Sequence, residues 1–144
     1  MKKIIGLLLL TVLLAGCSAG NNSNESTEKG TVADTTSNVK TYRQITMNEA
    51  LDIMESESDY IILDVRRPDE FADGHIPGAI NLPNENIGKD EISKLPDKNQ
   101  LILVYCRSGR RSKEASSKLV ELGYSNIVEF GGILDWNGET EVGN

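Results

Sequence analysis

The sequence predicts an α/β domain wound on a parallel sheet, and three observations predict it. The stretches "YIILDV" (60–65) and "LILVYC" (101–106) are short unbroken apolar runs rich in Ile, Val and Leu, as expected of strands buried on both faces. Segments with helical spacing alternate with them. Both runs carry a chemically active side chain at their carboxyl ends, Asp64 and Cys106, and in such folds the ligand site lies beyond the carboxyl ends of the strands.

Taken in order, the chain opens on an address. "MKKIIGLLLLTVLLAGC" sets Lys2 and Lys3 before an uncharged apolar run from Ile4 to Gly16. That layout is a signal peptide, and the run is shorter than the roughly 20 residues a membrane span needs. Leu14-Ala15-Gly16-Cys17 resembles the lipobox of bacterial lipoproteins. The resemblance implies removal of residues 1–16 and lipid on the sulfur and amine of Cys17. Several acyl chains, each contributing about 0.8 kcal/mol per buried CH₂, give lasting attachment. The expected location is the extracytoplasmic face of a cell membrane.

Residues 17–40 are then the lipidated Cys and a tether. The stretch is rich in Ser, Thr, Asn and Gly with almost no large apolar residue, so burial cannot offset the entropy of ordering it. Residues 41–142 are expected to form one domain. Thr46 and Glu49 have capping-box spacing, and Met47, Ala50, Leu51 and Met54 share one helical face. The run at 60–65 follows as a strand, and "AINLP" (79–83) reads as a short one. After the run at 101–106, "SKEASSKLVELG" reads as a helix starting near Ser112, with Ala115, Leu119 and Leu122 inward and Gly123 as its stop. "IVEF" (127–130) reads as a further strand.

Charge narrows the function. The formal net charge of −7 becomes −9 once the first 16 residues, with two lysines and no acid, are removed. A surface that acidic excludes a nucleic-acid binder, which needs basic groups to release counterions. Only two cysteines are present. With the Cys17 sulfur tied to lipid, Cys106 is the single thiol of the mature chain and no disulfide is expected. One histidine and one free thiol fall short of a metal-ligand set, so neither a metal nor a cofactor is expected.

Against that acidic background, "CRSGRRS" gathers cations around the thiol. Cys106 ends a buried strand, and the chain must turn through Arg107, Ser108, Gly109, Arg110 and Arg111 before a helix begins. Backbone N–H groups of such a turn form an anion nest, backed by the positive end of the helix dipole. The thiol should therefore be largely thiolate at neutral pH, and the loop should attract a small dianion.

"ILDVRRPDEFADGHIPGAINLP", then "CRSGRRS", then "GGILDW" resemble, in that order, the three signature stretches of rhodanese-like single-domain sulfurtransferases, over about 41–138. The resemblance implies a rhodanese-like five-stranded parallel sheet with helices on both faces, and a cysteine persulfide intermediate. Carried over by position, Cys106 is the nucleophile. Arg107, Ser108, Gly109, Arg110, Arg111 and Ser112 are the substrate-binding loop, with Arg111 foremost because Cys-x-x-Gly-x-Arg is the family's spacing. Asp64 and Arg66 are supporting residues. Asp64 is expected either to hydrogen-bond the loop or Arg111, or to be architectural. Arg66 and Glu70 are expected to pair with each other. His75 is expected in a turn beside the sheet, since an ionised thiol needs no base. Gly131, Gly132 and Trp136 are expected as a turn and a packing anchor, with the pocket mouth as a second place for Trp136.

The expected partners are a small anionic sulfur donor, such as thiosulfate, and a thiol or cyanide acceptor, used by a monomer. Three other functions fit parts of the pattern. An arsenate- or phosphate-type cysteine enzyme would want Cys-x₅-Arg, and here Ser112 occupies that arginine's position. A thiol redox enzyme would want a resolving cysteine. A non-catalytic anion-binding module would not need the thiol.

Overall fold

The computed structural model describes residues 41–88 and 92–143. The expectations for the leader, for Cys17 and for the tether to residue 40 lie outside them. Ten elements follow in order: β1 (Arg43–Gln44), α1 (Met47–Ser56), β2 (Tyr60–Asp64), α2 (Pro68–Asp73), β3 (Ile80–Asn81), a 3₁₀ turn (Asn84–Asn86), β4 (Leu101–Cys106), α3 (Arg110–Glu121), β5 (Ile127–Gly132) and a second 3₁₀ turn (Ile133–Asp135). The five strands form one sheet in the order β1-β5-β4-β2-β3, with every pairing parallel.

Strand alternation explains the two layers of core. Leu63 and Val65, with Ile102, Val104 and Cys106, point to one face, where Ala115, Leu119 and Val120 of α3 cover them. Ile62, Leu103, Tyr105, Val128 and Phe130 point to the other, where Ala50 is buried with them and Met47, Ile53 and Met54 of α1 pack alongside. Helices thus lie on both faces, and the apolar runs need no alternation because both faces are dry.

Local signals set the boundaries. Thr46 caps α1 with the expected box: its hydroxyl accepts from the Glu49 N–H at 3.3 Å, and the Glu49 carboxylate accepts from the Thr46 N–H at 2.8 Å. Helix α3 starts two residues earlier than expected, at Arg110, because Gly109 takes a left-handed conformation (φ 93°) at its N-cap and closes the turn in three residues. Its inward face is Ser112, Ala115, Ser116, Leu119 and Val120, with Leu122 only half-buried at the cap. Strand β5 runs two residues further than expected, to Gly132, which pairs with Cys106 across a register shift in β4. Strand β1 was not expected as a separate element: two residues carry no periodicity.

Candidate active site

The carboxyl end of β4 delivers Cys106 to the floor of a cavity of about 610 Å³. Arg66, Arg67, Arg107, Arg110 and Arg111 line its walls with Glu70 and Ser108, and Ile133 and Leu134 form an apolar rim. The sulfur is recessed, with Cys106 only 1% exposed. The Gly109 N–H donates to the Cys106 Sγ at 3.1 Å. Burial pushes the thiol up, but hydrogen bonds from the Ser112 hydroxyl and from the backbone N–H groups of Ser112, Ser108 and Gly109 outweigh it and hold the thiol below its ordinary value. The loop therefore folds as an anion nest at the start of α3.

A glycine on the neighbouring strand allows this loop to sit where it does. A Cβ on Gly132 would collide with the Arg107 carbonyl and the Ser108 nitrogen. The second glycine of the "GGILDW" stretch is thus a place of backbone contact, where strand and loop touch with no room for a side chain.

The five arginines are not equivalent. Arg66 turns back onto Asp64, with Nη2 2.6 Å from Oδ2 and Nε 3.0 Å from Oδ1, and its Nη2 also donates to the Gly74 carbonyl. Both side chains are buried. Asp64 therefore braces Arg66 and not Arg111. The expected pairing of Arg66 with Glu70 is likewise corrected: Arg66 lies in a bend ahead of α2, outside the helix, so helical i,i+4 spacing does not bring it to Glu70. Glu70 instead reaches Arg111 in a two-point pair at 2.6 and 2.9 Å. Arg67 pairs with Asp69 at 2.8 Å and Arg110 lies 3.7 Å from Glu114. Among the described residues, Arg107 is the cavity arginine with no carboxylate in ion-pair range.

Of the remaining residues named from sequence, Ser112 and Gly109 are not on the cavity wall. Ser112 is fully buried under the loop, and Gly109 contributes its N–H to the sulfur. His75 is buried, stacked on Phe71 at 3.7 Å between ring centroids, and its Nδ1 donates to the Phe71 carbonyl at 2.9 Å. Trp136 packs against the α1-side core and donates from Nε1 to the Glu139 carbonyl. The rim position considered for it is taken by Leu134, which is 65% exposed. A further acid, not among the residues expected from sequence, lies here: Glu129 on β5, 2% exposed, accepts from the Ser112 hydroxyl at 2.6 Å.

Comparison with known proteins bears on this geometry. The model of the rhodanese-like domain family matches residues 46–139, and that of the prokaryotic membrane lipoprotein lipid attachment site matches residues 1–18. The chain is 38% identical over 73 residues to the thiosulfate sulfurtransferase PspE of Escherichia coli, covering 51% of this chain and 70% of that one. It is 34% identical over 96 residues to the thiosulfate sulfurtransferase GlpE of Pseudoalteromonas translucida, covering 66% and 89%. Among solved structures, a rhodanese with anions from E. coli superposes with a TM-score of 0.54 at 34% identity, over 58% of this chain and 99% of that one. A rhodanese-like domain protein from Staphylococcus aureus superposes with a TM-score of 0.61 at 28% identity, over 71% and 99%.

Proposed function

The chain belongs to the rhodanese-like domain family, and from that premise we propose that it is a sulfurtransferase working through a persulfide on Cys106. The observation that carries this reading is one recessed thiol, held below its ordinary acidity range by loop hydrogen bonds, at the floor of an arginine-lined cavity. A structural cysteine would need neither the nest nor the cations.

In the first half-reaction the Cys106 thiolate attacks the outer sulfur of thiosulfate or a similar anionic sulfane donor. A new S–S bond forms as the donor's S–S bond breaks, and sulfite leaves with the electron pair. Arg107 receives the donor's sulfonate, since it has no carboxylate to satisfy. Arg110 adds to the positive field that offsets charge on the departing sulfite, and Arg111 offsets the Glu70 carboxylate that would otherwise face the donor. In the second half-reaction an acceptor thiolate or cyanide attacks the outer sulfur, and Cys106 leaves as the thiolate. The N–H groups that hold the thiolate lie where the persulfide's negative sulfur also needs donors. No external reductant or cofactor enters either step.

The lipid attachment site supports a membrane-anchored lipoprotein. Lipid on Cys17 would hold the domain at the extracytoplasmic face, where its donor and acceptor would be met.

The test uses the full-length chain carrying Cys17→Ser, which leaves Cys106 as the only thiol. Thiosulfate and cyanide together should yield thiocyanate catalytically, and Cys106→Ser should abolish it. Thiocyanate formation that survives Cys106→Ser would overturn the assignment. So would a folded, alkylatable protein that transfers no sulfur from thiosulfate or polysulfide.

A further inference from the structure

A lone exposed leucine is ordinary on a protein surface, but Leu134 stands at the mouth of a charged cavity. It is 65% exposed and lines the space above Cys106 together with the half-buried Ile133. Backbone geometry puts it there. Gly132 is the register partner of Cys106, so the residues that follow each of them leave the sheet side by side. The Leu134 N–H then donates to the Arg107 carbonyl at 3.2 Å, and the Trp136 N–H closes the turn on the Ile133 carbonyl at 3.1 Å. An apolar side chain is thereby fixed next to the cavity arginine that, among the described residues, has no carboxylate in ion-pair range.

Thiosulfate and cyanide leave the apolar half of this wall unused. Each is a small polar ion, and no part of either gains by leaving water for Leu134. The cavity, of about 610 Å³, has the size that holds an organic ligand. Its charge is one-sided as well, with five arginines lining it against Glu70 and Asp73. Once sulfite has left, Arg107 again lacks a counter-charge when the acceptor arrives. We propose that Leu134 and Arg107 form the acceptor subsite, and that the acceptor it fits is an organic thiol whose apolar chain ends in an anionic group such as a carboxylate.

The subsite presupposes the Cys106 persulfide and names the class of molecule that discharges it. The acceptor's chain lies along Leu134 and Ile133, its anion meets Arg107, and its thiolate reaches the cavity floor. There it attacks the outer sulfur of the persulfide. A new S–S bond to the acceptor forms as the bond to the Cys106 Sγ breaks, Cys106 leaves with the electron pair as a thiolate, and the acceptor departs as a persulfide. A thiol ending in an ammonium group meets the arginines with the wrong sign. A short thiol leaves Leu134 in water.

The test loads the full-length Cys17→Ser chain with thiosulfate, removes the excess, and mixes it with one acceptor at a time. Loss of about 32 Da, one sulfur atom, followed by intact mass, gives a second-order rate per thiolate. The acceptors are mercaptopropionate, mercaptohexanoate, mercaptohexanol and aminohexanethiol, with cyanide as the reference. Mercaptohexanoate should outrun mercaptopropionate by about tenfold, since each methylene buried on the rim contributes about 2- to 4-fold. It should outrun the alcohol by about 3- to 10-fold and the amine by more. Leu134→Ser should remove most of the chain-length preference, and Arg107→Gln most of the preference for carboxylate over alcohol, each measured relative to the cyanide rate. Should either variant fail to fold or load, the chain-length and charge series on the unsubstituted site decides. Equal rates along the series, or a chain-length preference that survives Leu134→Ser, would overturn the subsite. The two readings fail differently: a protein that gains no sulfur loses the persulfide and the subsite together, whereas a loaded protein that cyanide discharges but that treats the thiols alike loses the subsite alone.

Discussion

Glu70 clamps Arg111 through two hydrogen bonds, Nη1 to Oε2 at 2.6 Å and Nη2 to Oε1 at 2.9 Å, at the wall of the cavity that ends on Cys106. The arginine given first place by motif spacing is therefore already neutralised. Glu70→Gln should leave Arg111 in place with its charge exposed to substrate, and KM for thiosulfate should fall about 3- to 10-fold, of the order of one charged hydrogen bond. Arg111→Ala leaves Glu70 facing the donor anion, and KM should rise by about tenfold or more. Steady-state thiocyanate assays check both.

The same pair gives a pH dependence. The Arg111 guanidinium, against a smaller opposing push from burial, holds the Glu70 carboxyl down at about 2, from a usual value of 4.5. A depressed carboxylate stabilises the fold fully above its unfolded value, and that contribution is lost as the pH falls through its folded value. Acid unfolding of the unsubstituted protein should therefore lose stability between about pH 4.5 and 2. Glu70→Gln should show a shallower fall over that window. Urea midpoints measured at pH 6, 4 and 3 distinguish the two.

Arg107 is exposed, lines the cavity and has no carboxylate partner among the described residues. Arg107→Ala should raise KM for thiosulfate by about 10- to 100-fold. Its effect on the thermal midpoint should be small, because no native ion pair is lost. A drop in kcat with KM unchanged would assign Arg107 to the leaving sulfite and not to binding of the donor.

Gly132 is a packing requirement with a functional consequence. A methyl group there collides with the Arg107 carbonyl, so Gly132→Ala should lower the thermal midpoint by several degrees, as overpacking by about 1–3 kcal/mol does. It should also displace the nest, raising the pH at which Cys106 alkylates. Gly131→Ala, with open space at its Cβ but a left-handed backbone (φ 96°), should cost stability through strain without that collision.

Much of this was legible in the sequence, because its signals were local. The runs at 60–65 and 101–106, the Thr46–Glu49 box and the loop after Cys106 each depend on residues close in the chain. What escaped depended on side chains meeting across elements. Glu70 and Arg111 are 41 residues apart, and nothing in spacing joins α2 to α3. The four-residue spacing of Arg66 and Glu70 suggests a helical pair, but Arg66 lies outside the helix. Glu129 left the clearest unused signal: an acid in "IVEF", a strand expected to be buried, demands a donor, and Ser112 is that donor. Gly132 reads as part of a turn, because sequence does not reveal that a neighbouring backbone occupies its side-chain space.

The most direct single test is the intact mass of the full-length Cys17→Ser chain before and after thiosulfate. A gain of about 32 Da, one sulfur atom, reversed by cyanide and absent in Cys106→Ser, is the expected result. A folded protein whose Cys106 alkylates readily yet gains no sulfur from thiosulfate or polysulfide would contradict it, and would leave the arginine-lined cavity as a site that binds anions without transferring sulfur.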